Sequence, residues 1–382
     1  MPYDVAVIGA GVFGAWTAHH FRLAGLQVAL VDAYGAANSR ASSGGESRII
    51  RMGYGADEIY TRSAMRSLVL WREFRDRIGQ PLFHQTGVLW TAAEGDPYTE
   101  NTRRTLAQCG VHFEALSPAE LKSRYPQMQF APGAWGIFEP ESGALMARRA
   151  VQAVVADAVE NGVALLHEAV AAPRRAGSVA EVRTSTGGTI RAGVFVFACG
   201  AWLPKVFPDL LDKRIAPTRQ EAFFFGAPPG DSRFAPPAMP VWIDFSDPRG
   251  PYGFPDLENR GVKIALDQHG PCIDPDTADR VASADGLAAA RDFLGQRFPA
   301  LRNAPLIEAR VCQYENTSNG DFLIDRHLDF ANVWLVGGGS GHGFKHGPAV
   351  GEYVAARILQ GGAVDPRYSL ASKQETQNRT VF

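Results

Sequence analysis

Val5-Ala-Val-Ile8 runs directly into Gly9-Ala-Gly11-Val-Phe-Gly14, an apolar tetrapeptide followed by the pattern G-x-G-x-x-G. A short apolar run of this kind suits a parallel strand buried on both faces. A helix-compatible stretch, Val12–Leu23, comes next; Gly25 turns the chain, and Val28–Val31 reads as a second buried strand ending at Asp32. These residues predict a complete βαβ unit with a phosphate site in its first turn. The first glycine makes the turn, the second admits a pyrophosphate to the backbone, and the third lets helix pack on strand. Phosphates then sit at the positive end of the helix. Asp32, at the tip of the second strand, is placed to accept hydrogen bonds from a ribose diol, and its charge disfavours the 2′-phosphate of NADP. The pattern alone does not separate NAD from FAD.

Outward from this unit, residues 35–55 are rich in Gly, Ser and Arg and read as an ordered loop. Over residues 57–78 the apolar Ala64, Leu68, Trp71 and Ile78 share one helical face, and Gly79 is a stop signal. A second amphipathic helix is predicted over 146–160, with Ala150, Val151, Val154, Val155 and Ala158 inward. Residues 179–192 alternate around Gly187-Gly188, a hairpin signal, and lead to an apolar strand at 194–198. From 217 to 273 the chain is Pro- and Gly-rich, aromatic and strand-like. Val333-Trp-Leu-Val336 is a further buried strand that breaks into Gly337-Gly-Gly-Ser-Gly-His-Gly343, and a helix over 348–359 follows. The polar segment beyond Gly362 reads as loosely held.

Composition narrows the class. The 382 residues carry 38 Lys+Arg against 40 Asp+Glu, a balance that argues against nucleic acid as the main partner. With 46% hydrophobic and 20% charged residues the chain has a core to bury and is not disordered. Its four cysteines stand far apart with no CxxC, so neither a disulfide framework nor a zinc site is indicated. His342 and His346 lack carboxylate or cysteine company, and no metal is expected. No run approaches the roughly 18 apolar residues of a membrane span, and the start Met1-Pro2-Tyr3-Asp4 lacks a basic signal-peptide region. A cytoplasmic location is expected.

Further blocks carry a resemblance: Ser42-Ser-Gly-Gly-Glu-Ser-Arg-Ile-Ile-Arg51, Phe197-Ala-Cys-Gly-Ala-Trp202, Tyr252-Gly-Phe-Pro255 with Gly261-Val-Lys263, and Val311-Cys-Gln-Tyr314 with Ser340-Gly-His-Gly-Phe-Lys345. In order and spacing, with the N-terminal pattern, they resemble the D-amino-acid-oxidase-like flavoproteins, most closely the monomeric sarcosine oxidase and N-methyltryptophan oxidase group. The resemblance implies an α/β fold: a Rossmann-like FAD-binding domain from discontinuous segments (1–80, 141–216 and 322–382), plus an α+β substrate domain with a large antiparallel sheet (81–140 and 217–321). It implies FAD contacts from Gly9, Gly11, Val12, Phe13, Gly14, Asp32 and Ala33, and from Ser42, Ser43, Arg48 and Ile49. Val170 falls beside the adenosine, with Ala198, Gly200 and Trp202 further along the site. Gly339, Gly341, His342, Gly343, Phe344 and Lys345 come close to the flavin ring. Cys312 matches the cysteine that bonds covalently to the flavin, with Arg48 as the cation that helps its thiolate form; Cys199 is assigned to the core.

For catalysis the resemblance implies that Arg51 and Lys345 hold a substrate carboxylate, that Lys263 promotes reaction with O2, and that Tyr252 and Tyr314 shape the pocket. Three departures bear on the substrate. Asp267 stands where relatives often carry His; Thr317-Ser-Asn-Gly-Asp321 replaces Thr-Pro-Asp-Gly-His; and Gly44 and Gly45 replace histidines beside the flavin. Asp267 either selects a substrate with a second amine or pairs with a neighbour. The expected activity is FAD-dependent oxidation of a secondary amino acid, N-alkyl or cyclic, or a related amine to an imine, with O2 reduced to H2O2 by a monomer. The alternative is a dehydrogenase passing electrons to a quinone or partner protein. A nicotinamide-dependent dehydrogenase, or a non-catalytic flavin-binding protein, leaves more of these blocks unexplained.

Overall fold

The computed structural model describes residues 2–174, 176–379 and 381. Met1, Arg175, Thr380 and Phe382, which fall in the expected FAD-domain segments and the N-terminal start, lie outside the described residues.

Strand Tyr3–Ile8 pairs in parallel with Val28–Val31 on one side and Thr189–Phe197 on the other. Ala164–Leu166 extends the sheet past Val28–Val31, and Val333–Gly337 extends it past Thr189–Phe197, both in parallel. Leu323–Arg326 closes one edge antiparallel. Alternate side chains enter two different cores. Val5, Val7, Val28, Leu30 and Val196 join one cluster, while Ala6, Ile8, Ala29, Val31 and Phe197 join another. This is the period-2 consequence of burying both faces, and it explains why these strands read as continuous apolar runs. The predicted 179–192 hairpin exists, but its second strand does not stop: Thr189–Phe197 continues as a central strand of the sheet.

Helices Val12–Leu23, Ala147–Glu160 and Gly347–Gln360 cover the first face. Val12–Leu23 and Gly347–Gln360 cross closely, because a Cβ at Gly351 would lie 2.6 Å from the Trp16 carbonyl carbon. Helix Glu58–Ile78 ends where Gly79 adopts φ +65°, the left-handed stop expected of it.

An eight-stranded sheet runs in the order Leu306–Thr317, Ile215–Phe225, Val262–Leu266, Pro251–Phe254, Val241–Asp244, Val88–Ala92, Trp135–Glu139 and Glu114–Leu116. It is not wholly antiparallel as expected: Val88–Ala92 and Val241–Asp244 pair in parallel. The long segment between these strands lets the chain re-enter the sheet in the same direction. Helix Ala284–Arg297 packs on this sheet through Phe293 and Leu294. A small third sheet joins Ser47–Ile50, Gly143–Met146 and Phe83–His84.

The segment beyond Gly362 is held more firmly than its polarity suggests. Tyr368 and Leu370 are buried, and Arg367 bonds Asp57 at 2.6 Å and Asp321 at 2.6 Å. Arginine supplies the anchoring that apolar residues usually do. No described helix is long and apolar enough to cross a membrane.

Candidate active site

A cleft of about 360 Å³ opens at the carboxyl ends of the first sheet, where ligands of doubly wound sheets bind. Gly9 is at φ +107°, and a Cβ there would stand 2.2 Å from the Ala198 oxygen. Gly14 does not line the cleft, and a Cβ there would fall 1.8 Å from the Gly9 oxygen, so its lack of a side chain lets helix pack on strand. The Asp32 carboxylate accepts from Ala10 N at 2.7 Å and from Tyr34 N at 2.8 Å, which holds it at the cleft wall. Helix Val12–Leu23 has no side-chain cap from its N-cap residue Gly11; Ser43 Oγ accepts from Val12 N at 3.1 Å. The start of the helix therefore faces the cleft, ready for an anion.

Gly9, Gly11, Val12, Phe13, Asp32, Ala33, Ser42 and Ser43 all line this cleft. So do Val170, Ala198, Gly200, Trp202, Gly339 and Gly343. Two buried polar atoms on cleft residues lack a protein partner, Ser42 Oγ and Glu315 Oε2. Burial, only partly offset by the bond from Gly339 N, raises the Glu315 carboxyl to about 7. Backbone pared to glycine, a helix start whose N-cap residue carries no side chain, and unsatisfied polar atoms fit a dinucleotide. Cys199 packs against the second core cluster, as expected, with its thiol donating to the Ile8 oxygen at 3.5 Å, and its half-buried side also lines the cleft.

A second cavity, of about 430 Å³, shares Arg48, Tyr314, Gly341 and Phe344 with the cleft. At this junction Arg48 Nη2 stands 3.3 Å from Cys312 Sγ. A Cβ at Gly45 would lie 2.5 Å from Arg48 Nη1, and one at Gly44 would lie 2.1 Å from the Asn38 oxygen. Of the two glycines that depart from the sarcosine-oxidase pattern, Gly45 makes room for the guanidinium beside Cys312 and Gly44 for the close approach of the Asn38 backbone.

Ile49, Arg51, Tyr252, Lys263, Asp267, Cys312, His342 and Lys345 line the second cavity, so the residues expected for catalysis meet in one place. Arg51 lies between aromatic faces, 4.4 Å from the Tyr54 ring centroid and 4.6 Å from that of Trp90, and bonds the Gly53 oxygen. Lys345 Nζ donates to the Tyr54 hydroxyl at 2.7 Å and to the His342 oxygen at 2.9 Å, while Trp71 Nε1 holds the Lys345 carbonyl at 3.0 Å. Burial and then Arg51 push the Lys345 ammonium well below its ordinary pKa.

Lys263 Nζ donates to the Ser47 oxygen at 3.0 Å and sits 4.4 Å from the Phe254 ring centroid. Burial and then Arg48 push its pKa well down as well, which disfavours its charged form. Asp267 pairs with a neighbour: it accepts from Arg379 at 2.8 Å and from Tyr314 at 3.1 Å. The Tyr252 and Tyr314 hydroxyls lie 3.4 Å apart. His342 Nε2 bonds the Gly320 oxygen at 2.9 Å, and its ring stacks on Phe322 at 4.8 Å, which places it more in the wall than in the cavity.

Sequence reasoning missed Glu315, Tyr54, His346 and Arg379. Glu315 shares its face of strand Leu306–Thr317 with Gln313 and Thr317, both polar and both buried, so no apolar alternation marks that face as interior. Arg379 was missed because nothing local ties a polar terminal segment to a distant pocket.

A model of the family described as FAD dependent oxidoreductase matches residues 4–357. The chain belongs to this family of FAD-dependent oxidoreductases. Among curated relatives, this FAD-dependent oxidoreductase is 31% identical over 380 residues to a monomeric sarcosine oxidase of Streptomyces avermitilis, covering 96% of this chain and 97% of the relative. It is 30% identical over 369 residues to an N-methyl-L-tryptophan oxidase of Citrobacter koseri, covering 94% and 95%. Among solved structures, L-proline dehydrogenase from P. horikoshii superposes with TM-score 0.85 at 22% identity, over 97% of each chain.

Proposed function

We propose that this enzyme oxidises a secondary amino acid, N-alkyl or cyclic, to an imine, with dioxygen as the electron acceptor and H2O2 as its product. Two curated relatives are named for sarcosine and N-methyl-L-tryptophan, both N-methyl amino acids. The observation that supports the reading most is the second cavity itself. Arg51 and Lys345 stand together in it, and it meets the cofactor cleft at Arg48, Tyr314, Gly341 and Phe344.

Arg51 offers a planar fork to the substrate carboxylate, and Lys345 a second donor beside it. Tyr252 and Tyr314 hold the amine side, with Tyr314 oriented by Asp267. FAD, when bound, supplies a two-electron acceptor for the hydride equivalent leaving the carbon next to nitrogen. Gly9, Gly11 and the start of helix Val12–Leu23 would hold its pyrophosphate, Asp32 a ribose, and Gly339–Gly343 its ring end. Cys312, activated by Arg48, would anchor it covalently. Lys263 would hold positive charge for dioxygen reduction, with Ser47 and Phe254 opposing the cost of its burial. The chain works as a monomer, as the relative's name implies for that protein.

The test is anaerobic titration of the purified flavoprotein with sarcosine, proline, pipecolate, larger N-methyl amino acids and primary D-amino acids, following flavin absorbance. Bleaching by secondary but not primary amines is expected, and a protein that none of them bleaches overturns the reading. Readmitting air separates the acceptors: prompt recovery of colour with H2O2 marks an oxidase, and slow recovery marks the dehydrogenase alternative. Acid precipitation reports on Cys312, with yellow pellet expected from the wild type and yellow supernatant from Cys312→Ser.

A further inference from the structure

Tyr54 touches both cations that the proposed function gives to the substrate carboxylate. Its ring centroid lies 4.4 Å from the Arg51 guanidinium carbon, and its hydroxyl oxygen accepts from Lys345 Nζ at 2.7 Å. One fully buried side chain therefore meets one cation with its face and the other with its oxygen. Tyr54 follows Arg51 by three positions, just past strand Ser47–Ile50, whereas Lys345 stands 291 positions further on. The tyrosine thus joins two charges that come from distant parts of the chain.

Both contacts are fixed from behind. On the other side of Arg51 the Trp90 ring centroid lies 4.6 Å away, and Trp90 Nε1 donates to Glu139 at 2.7 Å. Glu139 is buried and also accepts from Met52 N at 2.7 Å and from Ser142 Oγ at 2.8 Å, which holds Trp90 in place. The Tyr54 hydroxyl is fixed by imidazoles. The Gly320 carbonyl can only accept, so His342 carries its proton on Nε2, and its Nδ1, 3.3 Å from the hydroxyl, is an acceptor. His346 Nε2 lies nearer, at 2.7 Å, and its Nδ1 is 2.9 Å from Ser63 Oγ. The phenolic proton has a ring nitrogen to go to, and the oxygen keeps a lone pair turned to Lys345.

Two cations side by side in a buried site repel, and the one that can lose its proton yields first. Arginine keeps its proton at every working pH; a buried lysine does not have to. Burial, then Arg51, and also Arg379 oppose the Lys345 charge, while Asp267 and Glu139 favour it. Burial and then the Lys345 charge keep the His342 and His346 imidazoles neutral. Tyr54, which faces Arg51, Arg379, Tyr98 and Glu139, is raised by burial and stays protonated. It supports Lys345 as a neutral acceptor, not as an anion.

We propose that Tyr54 is the positioning residue of the carboxylate clamp: its ring sets where Arg51 lies, and its hydroxyl oxygen, oriented by His346, keeps Lys345 a cation beside it. This rests on the carboxylate site proposed above. A hydrogen bond from an ammonium to a fixed oxygen favours the charged form over the free amine. The two contacts differ in a measurable way. The ring acts on a group whose charge does not change, so its effect is the same at every pH. The hydroxyl acts on a group that titrates, so its effect is a shift in the pH at which the clamp lets go.

The test is binding of propionate, which carries the carboxylate but no nitrogen to oxidise. It is followed through the flavin spectrum of FAD-loaded wild type, Lys345→Met, Tyr54→Phe and Tyr54→Leu, between about pH 5 and pH 10. Wild type should bind well at acid pH and weaken by up to about tenfold per pH unit once Lys345 gives up its proton. Lys345→Met should bind weakly and without that step. Tyr54→Phe keeps the ring and loses the hydroxyl. It should stay within a few-fold of wild type at the acid end, with the step about one to two pH units lower, the worth of a hydrogen bond to a charged group. Tyr54→Leu should show the lowered step and bind on the order of tenfold more weakly at every pH, as lost cation–π contact implies. A Tyr54→Phe step at the wild-type pH, or a loss by one factor at every pH, is what a merely structural role gives, and either overturns the inference. So does a wild type that binds propionate without a step. If Tyr54→Leu does not fold, Tyr54→Phe decides alone. A wild type that binds no propionate is the separate failure of the proposed carboxylate site, and the positioning role falls with it.

Discussion

The cofactor cleft and the second cavity meet at Arg48 and Gly341 but are built from different materials. The cleft is a backbone site: glycines, a helix start, and a few short polar side chains. The second cavity is a side-chain site, in which Arg48, Arg51, Arg249, Lys263, Lys345 and Arg379 outnumber Glu221, Asp247 and Asp267. A backbone site recognises what many relatives share, because removing side chains leaves little to vary. A side-chain site is where a substrate can be changed one residue at a time, and its surplus of cations suits an anionic substrate.

Damage should therefore be total in the cleft and graded in the second cavity. Gly9→Val puts side-chain atoms into the Ala198 carbonyl at a left-handed φ. We expect purified protein without flavin, judged by the ratio of flavin to protein absorbance. A yellow Gly9→Val protein would break the comparison.

The next largest effect belongs to Glu315. Its carboxyl is raised from 4.5 to about 7 in the fold, so the protonated form is the stabilising one. That stabilisation is fully present below the unfolded pKa and is lost as pH rises through about 7. The shift is worth about 3 kcal/mol. Urea unfolding of the flavin-free protein should show wild type losing about that much relative to Glu315→Gln between pH 4 and pH 8. Parallel curves would mean that Glu315 is already satisfied in solution.

In the second cavity, Lys263→Met should slow flavin reoxidation by air about tenfold to a hundredfold, in line with loss of one preorganised charge. Anaerobic reduction should stay within a few-fold of wild type, which stopped flow can separate. Smallest is Arg379→Gln, which cuts the bond to Asp267 and frees one wall of the cavity. A few-fold rise in KM with little change in kcat is expected from steady-state kinetics. A large fall in kcat would instead place Arg379 among the residues that set the reacting geometry.

The same contrast explains which parts of the molecule are legible in its sequence. The βαβ unit and its glycines are legible because spacing alone encodes a backbone site. Gly9 and Gly14 take distinct duties from the pattern, and the close approaches at each bear on those duties. Helix Glu58–Ile78 and the buried strands are legible from periodicity and from one glycine stop. Much less can be read where partners are far apart in the chain. The parallel pairing of Val88–Ala92 with Val241–Asp244 joins strands with no local signal in common. Arg379 meets Asp267 across 112 positions, and a polar terminal segment gives no hint of a half-buried ion pair. The family resemblance supplies Arg51, Lys263 and Lys345; it does not supply Tyr54 or His346, whose importance depends on distances alone.

The pairing of strand Tyr3–Ile8 with Ala192–Phe197 also sets a timetable for biosynthesis. At roughly 5–20 residues per second, a ribosome needs on the order of ten seconds or more to make that partner after the first strand emerges. The loop Ser340–Lys345 comes later still. The glycine turn that marks this family is thus made well before one of its two flanking strands, with only Val28–Val31 at hand to pair with the strand that carries it. A cleft whose lining runs from Ile8 to Phe344 can hold its cofactor only after nearly the whole of this sequence has left the ribosome.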